Sequence, residues 1–450
     1  MSLQNPNLKS LMYIALPMVI SQASETVMMF VDRLFLSWLG KAHISAAMSG
    51  GLSSFVFMSL FLGTVGYVNA LSAQYFGAGK EENCVRTVTQ GFQLSLLFYP
   101  LILLLIPLVG KFFAYSGHSA QQIELEYTYF RILMLGGFLA LLRTVLASFF
   151  LGIGRTKIVM YSNIAGMLIN VPINYILIFG KFGFPRLGIV GAAIGTLTGS
   201  LLICVVLTVS FLRHRIYREH KSPTLWKFNR NIMGKLLRYG FPAGIELFLN
   251  VFAFNLFIQM MHSYSEDVAA AVTITFNYDM VAFIPMLGLG FATTSLVGQY
   301  MGAEDPGGAA RVAGLSMKVG MVYALSMMVL FIFGAGWLVR VFTGGLSDAD
   351  TAVIPLAKTM LRLASLYTLA DILQLILSGT LRGAGDTKWV MYISVVLHWI
   401  MAISTYFMIK VFVINPIFVW GGFISFVMLL GVAMFIRFWF GPWKKMRIIS

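Results

Sequence analysis

The stretch GIGRTKIVMY at Gly152–Tyr161 returns as GAGDTKWVMY at Gly383–Tyr392, 231 positions later and with seven of ten residues identical. A second pair, QYFGAG at Gln74–Gly79 and QYMGAE at Gln299–Glu304, is separated by 225 positions. Related motifs in the same order and at nearly constant spacing indicate an internal repeat. The sequence therefore predicts one structural unit of about half the chain, written twice, whose repeated glycines form turns between helices.

The composition identifies the class of protein. Of the 450 residues, 58% are hydrophobic and 11% are charged, and the mean hydropathy is +0.83. Soluble domains have about 45–50% apolar and about 25% charged residues, whereas a membrane-spanning helix needs about 20 mostly apolar residues. Long continuous apolar runs also favour helices over a membrane barrel. We predict an all-α polytopic membrane protein with twelve transmembrane helices, centred near residues 24, 58, 97, 136, 168, 200, 247, 284, 322, 365, 398 and 428.

The repeat also predicts how the spans are arranged. Each half holds an even number of spans, so both halves cross the membrane in the same orientation and are related by a pseudo-twofold axis along the membrane normal. Transporters built from such repeats bind their substrate between the repeats and alternate access by rocking them. We expect an N-terminal six-helix lobe at 1–212, a basic cytoplasmic linker at 213–231 and a C-terminal six-helix lobe at 232–450.

The net charge of +15 follows the predicted topology. Eight Lys or Arg residues lie between Arg213 and Arg238, and further ones lie in the C-terminal tail and in loops on the same side. The positive-inside rule then places both termini in the cytoplasm. We expect a multi-pass protein of the cytoplasmic membrane, functional as a monomer. Its expected partners are the lipid bilayer and a small organic cation, not nucleic acid.

Enzyme chemistry has little support in the sequence. The two cysteines, Cys84 and Cys204, form no disulfide framework, and the six histidines show no metal-ligand spacing. We therefore expect no enzymatic activity, and no cofactor apart from H⁺ or Na⁺ as a coupling ion.

Acidic residues inside the predicted spans are the main candidates for function, because a charge within a membrane is costly. Their repeat equivalents are not acidic: Phe257 corresponds to Asp32, and Ala140 to Asp371. A charge that the scaffold required should recur with the scaffold, so we interpret the asymmetry as functional. The five acids are Glu25 and Asp32 in span 1, Glu246 in span 7, Asp279 in span 8 and Asp371 in span 10.

Span 1 carries the predicted ion-coupling site. Glu25 and Asp32 are seven residues apart and therefore lie on one face of a helix. Two carboxylates in a dry cavity cannot both ionise comfortably, which favours the binding of a proton or a cation. Asn170, Asn174 and Thr196 are predicted to supply neutral oxygens beside Asp32; alternatively, they only form hydrogen bonds between helices.

Span 10 carries the predicted substrate site. Its polar residues recur at intervals of four, three and four, and so form one stripe on a helix: Tyr367, Asp371, Gln374 and Ser378. A phenol next to a carboxylate suits an organic cation, through charge and cation–π contact. The alternative is a polar seam between helices. The predicted substrate-binding residues are Tyr367, Asp371, Gln374, Glu246 and Asp279.

Several motifs together resemble the multidrug and toxic compound extrusion (MATE) family of secondary transporters. Besides QYFGAG and QYMGAE, they are ALPMVISQ at Ala15–Gln22, FVDRLFLSWLG at Phe30–Gly40, PINYILIFG at Pro172–Gly180 and DILQLILSGTLRGAGDTK at Asp371–Lys388. The resemblance covers essentially the whole chain, in order. It implies twelve helices in two lobes, and antiport of drugs against Na⁺ or H⁺.

The resemblance also implies roles for single residues. Asp32 resembles the family's coupling aspartate in span 1. Asp371 with Tyr367 resembles its acid in span 10, which is implicated in coupling or substrate binding, so the predicted ion-coupling residues include Asp371. Either aspartate would be a metal ligand if Na⁺ is the coupling ion. The chain departs from the family pattern at Asn174, where some relatives have an aspartate. It departs again in span 7, where relatives that have an acid often place it at the position of Asn250, whereas this chain has Glu246 one turn earlier. These departures leave the coupling ion open.

We therefore expect a secondary antiporter that exports amphiphilic, cationic organic compounds in exchange for H⁺ or Na⁺ by alternating access. Arg33, Arg131, Arg143 and Arg362 lie in or near spans and leave two alternatives open. In one, Arg131 or Arg143 pairs with Asp32, and this ion pair only holds the lobes together. In the other, the protein is a flippase for lipid-linked saccharides of the same superfamily, whose cavity would be basic. A third reading, an intramembrane lipid-phosphate enzyme, lacks the clustered metal-binding aspartates that it would need.

Overall fold

The computed structural model describes residues 6–113, 119–343 and 352–449, which form α-helices joined by short connections. The helices are α1 (Leu8–Ser37), α2 (Lys41–Gly66), α3 (Val68–Gly77), α4 (Glu81–Phe113), α5 (Ala120–Leu135), α6 (Gly137–Gly152), α7 (Thr156–Phe179), α8 (Ile189–Arg213), α9 (Arg215–Glu219), α10 (Arg230–Lys235), α11 (Phe241–His262), α12 (Glu266–Gly302), α13 (Pro306–Thr343), α14 (Val353–Ala384), α15 (Thr387–Tyr406) and α16 (Pro416–Phe440).

Twelve spans account for most of these helices. Eleven helical segments are long and apolar enough to cross a membrane, one of them made of α2 and α3 together. The twelfth is the pair α5 and α6, which is bent by 46°. The predictions of an all-α fold and of twelve spans are confirmed. The bend falls at Gly136, where a Cβ atom would lie 2.0 Å from Leu197 Cδ2, so any larger residue would displace this side chain of α8.

The spans form two lobes, α1–α8 and α11–α16, each with its own apolar core. The N-terminal core is centred on α4 and α6 and includes Phe130 and Phe149, whereas the C-terminal core includes Phe257, Trp420 and Phe423. The segment between the lobes packs on α4. There the Thr89 hydroxyl donates to the Leu225 carbonyl at 2.8 Å, and Gln93 donates to that of Trp226 at 2.6 Å.

The lobes meet through repeat-equivalent helix pairs, α2 with α11 and α12 with α1. On the first, a Cβ on Gly63 would lie 2.7 Å from Gly244 Cα. On the second, a Cβ on Gly288 would lie 2.6 Å from Val19 Cγ2. Gly63 and Gly288 are 225 positions apart, and so are Val19 and Gly244. The same contact is thus made twice, as the predicted pseudo-twofold relation requires.

The repeated motifs form a reciprocal pair of hydrogen bonds between the lobes. Gln74 Nε2 donates to the Gly383 carbonyl at 2.8 Å, and its repeat equivalent Gln299 donates to the Gly152 carbonyl at 2.7 Å. Both glutamines are buried. We call these two bonds the glutamine clasp. The sequence motifs were predicted to be helix turns, which Gly154 and Gly385 are with φ of +73° and +102°; their contact across the lobes is an additional finding.

The glutamine clasp lies at the end of the bundle that holds both termini, here called the terminal face. The C-terminal tail crosses this face: Lys80 Nζ donates to the Ile449 carbonyl at 3.4 Å, and Arg447 pairs with Glu304 at 3.1 Å. Near the start of α1, Lys157 Nζ lies 4.8 Å from the centre of the Tyr13 ring. The glutamine clasp and the Lys80–Ile449 contact therefore join the lobes at the terminal face, whereas the contacts of Arg447 and Lys157 each lie within one lobe.

Candidate functional site

Asp32 of α1 is held inside the N-terminal lobe by neutral side chains. Its Oδ2 accepts a hydrogen bond from the Thr196 hydroxyl of α8 at 3.1 Å, and its Oδ1 accepts one from the Asn174 amide of α7. The same amide donates to Asn170 Oδ1 at 3.2 Å. Tyr129 of α5, which is buried, lies against Asp32 and Thr196. The structure thus brings together Asp32 and its three predicted neutral partners.

Small residues on α8 make this cluster possible. A Cβ on Gly195 would lie 1.6 Å from Asn174 Oδ1, and a Cβ on Gly199 would lie 3.0 Å from Asn170 Cβ. Glycine faces of this kind let membrane helices approach closely. The polar side chains of α7 fill the space that these glycines leave, and so they reach Asp32.

The Asp32 cluster has the chemistry of a site for a small cation. Within the described parts of the chain Asp32 forms no salt bridge, and the Asn170 Nδ2 and Asn174 Oδ1 atoms are buried without a hydrogen-bond partner. A carboxylate beside neutral oxygens suits a proton or a hard cation such as Na⁺. The alternative in which Arg131 or Arg143 pairs with Asp32 is wrong, because Arg131 is exposed and Arg143 binds another acid.

That acid is Glu25, two turns along α1 towards the terminal face. Its Oε1 accepts hydrogen bonds from Arg143 Nη2 at 3.1 Å and from Asn163 Nδ2 at 2.8 Å. The Asn163 amide also contacts the Ser21 hydroxyl at 2.7 Å. Glu25 and Asp32 therefore share a helix face, as predicted, but they have separate partners.

The C-terminal lobe holds the second cluster of acids. The Tyr367 hydroxyl of α14 donates to Asp279 Oδ1 of α12 at 3.0 Å, and Asp371 lies close enough to Asp279 to interact with it electrostatically. The Tyr367 side chain is 1% exposed, and its ring packs edge-on against Phe423 at 5.5 Å. The predicted cation–π face of Tyr367 is therefore covered in this conformation.

Two other predicted substrate residues lie outside this contact. Glu246 pairs with Arg382 at 2.7 Å near the terminal face, next to the Gly383 carbonyl of the glutamine clasp. Gln374 is half-buried on α14.

The acid clusters lie within single lobes, Asp32 in the N-terminal lobe and Asp279 with Asp371 in the C-terminal lobe. This differs from the expectation of a site between the halves, because each carboxylate is enclosed by helices of its own lobe.

Comparison with known proteins decides the family. The MatE family model matches residues 17–176 and 242–408, which start 225 positions apart and cover spans 1–5 and 7–11. The chain belongs to the MatE family. Multidrug resistance protein PmpM of Pseudomonas aeruginosa is 31% identical over 401 residues, covering 87% of this chain and 82% of the relative. Multidrug resistance protein MdtK of Proteus mirabilis is 27% identical, covering 96% and 95% of the two chains.

Solved structures confirm the MATE fold. An outward-facing multidrug resistance MATE transporter of the MOP superfamily is 20% identical, with a TM-score of 0.86, and covers 98% of this chain and 95% of its own. A MOP superfamily transporter from Pyrococcus furiosus, for which a binding pocket of reverse polarity is described, is 19% identical with the same TM-score and coverage. The MATE-family chain is therefore a multi-pass membrane protein whose relatives are transporters, not enzymes.

Proposed function

We propose that this MATE-family protein is a secondary antiporter that exports amphiphilic, cationic organic compounds in exchange for H⁺ or Na⁺ by alternating access. The proposed site of ion coupling is Asp32 with Asn170, Asn174 and Thr196. Asp279 and Asp371 are the proposed carboxylates for the organic cation, with Tyr367 positioned against Asp279. The proposal places the protein in the cytoplasmic membrane with both termini in the cytoplasm, on the basis of the basic linker and tail.

The enclosure of Asp32 by neutral partners is the observation that carries this proposal. An ionised carboxylate inside a lobe is costly when no cationic side chain balances it. Binding of H⁺ or Na⁺ removes that penalty and changes which arrangement of the lobes is stable. One elementary charge moved inward gains about 2.3 kcal/mol per 100 mV of membrane potential, and a monovalent organic cation moved outward costs the same amount. A one-for-one exchange is therefore driven by the concentration gradient of the ion, which supplies about 1.4 kcal/mol for each tenfold difference and sustains about tenfold export.

The contacts between the lobes support alternating access. The glutamine clasp and the contact of Lys80 with the Ile449 carbonyl lie at the terminal face and join the two lobes, so rocking the lobes apart there breaks a defined set of bonds. If the terminal face is cytoplasmic, the conformation described is closed to the cytoplasm. The similarity to an outward-facing MATE transporter agrees with that assignment.

The names of the relatives support multidrug export, since PmpM and MdtK are both named multidrug resistance proteins. The geometry does not favour the flippase alternative. Arg143, one of the arginines proposed to meet phosphate groups, is paired with Glu25. Arg382 is likewise paired with Glu246.

The test is reconstitution of the full chain in liposomes, with pH and Na⁺ gradients imposed separately and ethidium as the transported cation. Asp32→Asn and Asp371→Asn should each reduce ion-driven ethidium transport about a hundredfold or more, because each replaces a carboxylate proposed to bind a cation within the membrane by a neutral amide. Asp267→Asn, at an exposed position in the first turn of α12, is the matched control and should transport like the wild type. Unchanged transport by both site variants would refute the assignment. Transport activated only by a lipid-linked saccharide would favour the flippase.

A further inference from the structure

The pseudo-twofold axis provides an internal comparison for the Glu25–Arg143 pair. Three residues that meet in the N-terminal lobe have repeat equivalents that are all neutral: Asn250 for Glu25, Gln374 for Arg143 and Ser394 for Asn163. Asn250 Nδ2 donates to the Ser394 hydroxyl at 2.7 Å, so the equivalents of Glu25 and Asn163 are also hydrogen-bonded to each other, with donor and acceptor exchanged. The same position in the scaffold is thus filled once with an ion pair and once with neutral polar groups. Helix packing at this position does not require the charges.

The Glu25–Arg143 ion pair lies nearer to the terminal face than Asp32, by about two helical turns along α1. Glu25 precedes Asp32 by seven residues on α1, and Asn163 precedes Asn170 by seven residues on α7. Seven helical residues correspond to about 10.5 Å along the axis. Spans 1 and 5 therefore present two polar tiers. The outer tier is Asp32, Asn170, Asn174 and Thr196, and the inner tier is Glu25, Arg143, Asn163 and Ser21.

The inner tier is close to electrically neutral, and its charges are held by few contacts. Arg143 uses one nitrogen, Nη2, for Glu25, and the two side chains are 23% and 28% exposed. Further titratable groups on the helices packed around the two tiers include Asp32 and Arg33 on α1, Lys41 and His43 in the first turn of α2, Tyr129 on α5, which lies against Asp32, Lys157, Tyr161 and Tyr175 on α7, Cys204 on α8, and Asp279 on α12, which is bonded by Tyr367. Arg143 is the cation that meets Glu25 directly.

We propose that Arg143 is a positioning residue that cancels the charge of Glu25 and thereby sets the affinity of Asp32 for the coupling ion. This inference rests on the proposed antiport. An unbalanced unit charge about 10.5 Å from Asp32 changes cation binding there about tenfold at an effective dielectric constant of about 20. The sign depends on which partner is left, so the two single substitutions have opposite effects.

The experiment measures the H⁺ and Na⁺ concentrations that give half-maximal ethidium transport by the reconstituted full chain. Arg143→Gln leaves Glu25 unbalanced and should raise the apparent ion affinity about tenfold, which moves a half-maximal pH upward by about one unit. Glu25→Gln leaves Arg143 unbalanced and should lower the affinity about tenfold, moving that pH downward. The double variant Glu25→Asn with Arg143→Gln copies the neutral set of the C-terminal lobe and should return to within about twofold of the wild type.

A second pair of variants tests the sign without removing the arginine. Asn163→Asp adds one negative charge beside the intact ion pair and should raise the ion affinity as Arg143→Gln does. Asn163→Ser, which introduces the residue of the C-terminal lobe, is its neutral control and should leave the affinity unchanged. These variants retain the Arg143–Glu25 contact, so they remain informative if a single charge deletion prevents folding.

A purely structural role for the pair predicts a different pattern. Both deletions would then lower the maximal rate or the yield while the half-maximal ion concentration stayed constant. Shifts in the same direction, shifts smaller than about twofold, or a double variant that keeps the shift of one single variant would overturn the inference. Absence of ion-driven transport by the wild type would instead refute the proposed antiport, and this inference with it.

Discussion

Removal of the glutamine clasp should shift the balance between the two arrangements of the lobes. Gln74 and Gln299 each donate to a backbone carbonyl of the opposite lobe, at 2.8 and 2.7 Å, and their side chains are 2% and 6% exposed. Both bonds exist only when the lobes are joined at the terminal face. Replacing either glutamine with alanine therefore destabilises that arrangement selectively.

The magnitude follows from the energy of such bonds. A buried hydrogen bond contributes about 1 kcal/mol net, because the open state replaces it with bonds to water. Gln74→Ala or Gln299→Ala should therefore change the ratio of closed to open lobes about fivefold. The two bonds belong to separate donor–acceptor pairs, so the double variant should change it by about 2 kcal/mol, or about thirtyfold. The pseudo-twofold relation requires the two single effects to agree within about twofold.

The assay is a distance measurement across the terminal face. Lys157 and Lys388 are repeat-equivalent, exposed and on opposite lobes, so cysteines at these positions can carry spin labels. The native thiols, Cys84 and Cys204, are buried and free and would first be replaced. Double electron–electron resonance in lipid nanodiscs then reports the fractions of short and long distances.

An unchanged distance distribution in the double variant would refute the reasoning, and so would a large effect from only one glutamine. Gln90→Ala is the matched control. Gln90 donates to the Lys227 carbonyl at 3.1 Å and accepts from the Asn229 amide at 3.0 Å, contacts between α4 and the linker that packs on it rather than between the lobes. Its loss should lower thermal stability without shifting the distances.

Three further substitutions follow from the contacts. Gly195→Ala places a methyl group 1.6 Å from the present position of Asn174 Oδ1, so it should displace the amide from Asp32 and weaken ion-dependent transport about tenfold or more, measured as the half-maximal ion concentration. Gly302→Ala places a methyl group 1.9 Å from a backbone carbonyl oxygen of the other lobe and should favour the long distances in the spin-label assay. Glu246→Gln leaves the Arg382 guanidinium, 34% exposed, without its carboxylate and should lower stability by about 2 kcal/mol, measured by thermal unfolding in detergent.

Two other glycines provide controls for the first two substitutions. A Cβ on Gly314 of α13 or on Gly421 of α16 would meet no atom within 4 Å. Alanine at these positions should leave both ion dependence and lobe distances unchanged. Equal effects of Gly314→Ala and Gly302→Ala on the distances would contradict the steric argument. A lower ion affinity after Gly421→Ala would contradict the argument for Gly195.

The control for Glu246→Gln is Glu246→Asp, which retains the negative charge. A loss of stability after Glu246→Asp as large as that after Glu246→Gln would contradict an electrostatic cause.

The spans and the repeat could be predicted because each depends on short stretches of sequence that can be recognised without knowing how the helices pack. A long apolar run specifies a span by its own composition, and the motifs at Gln74–Gly79 and Gly152–Tyr161 specify the repeat by their copies. The span predicted near residue 136 is centred on the bend at Gly136, although the bend itself was not predicted. A bend depends on what lies opposite, here Leu197, and that is a property of packing.

The candidate ion site could be predicted in part. Helical spacing places Asp32 and Glu25 on one face of α1, but it does not give the height of α6 relative to α1. Arg143 therefore remained a candidate partner for either acid, and the structure selects Glu25. The matched intervals of seven residues on α1 and α7 are present in the sequence and would have indicated Asn163 as a partner of Glu25 in the inner tier.

The contacts in the C-terminal lobe and across the lobes could not be predicted from spacing along one helix. Tyr367 was expected to stand beside Asp371 on its own helix, whereas its hydroxyl contacts Asp279 on α12. The partner of Gln74 lies 309 positions away in sequence. Such pairings depend on the axial position and rotation of two helices relative to each other, and residue spacing within one helix does not show these. The pairing of Gln74 with Gly383 is nevertheless consistent with the repeat, because both residues belong to duplicated motifs.

The reciprocal glycine and glutamine contacts make the surface between the lobes self-complementary under a half-turn, which is the geometry of a twofold homodimer. Each half carries one donor and one acceptor of the clasp, Gln74 with Gly152 and Gln299 with Gly383. The covalent connection between the halves is then dispensable for their recognition. Two polypeptides severed within the linker should reassemble in the membrane, each directed to its partner by the surface that an ancestral single-length chain would have offered to its own copy.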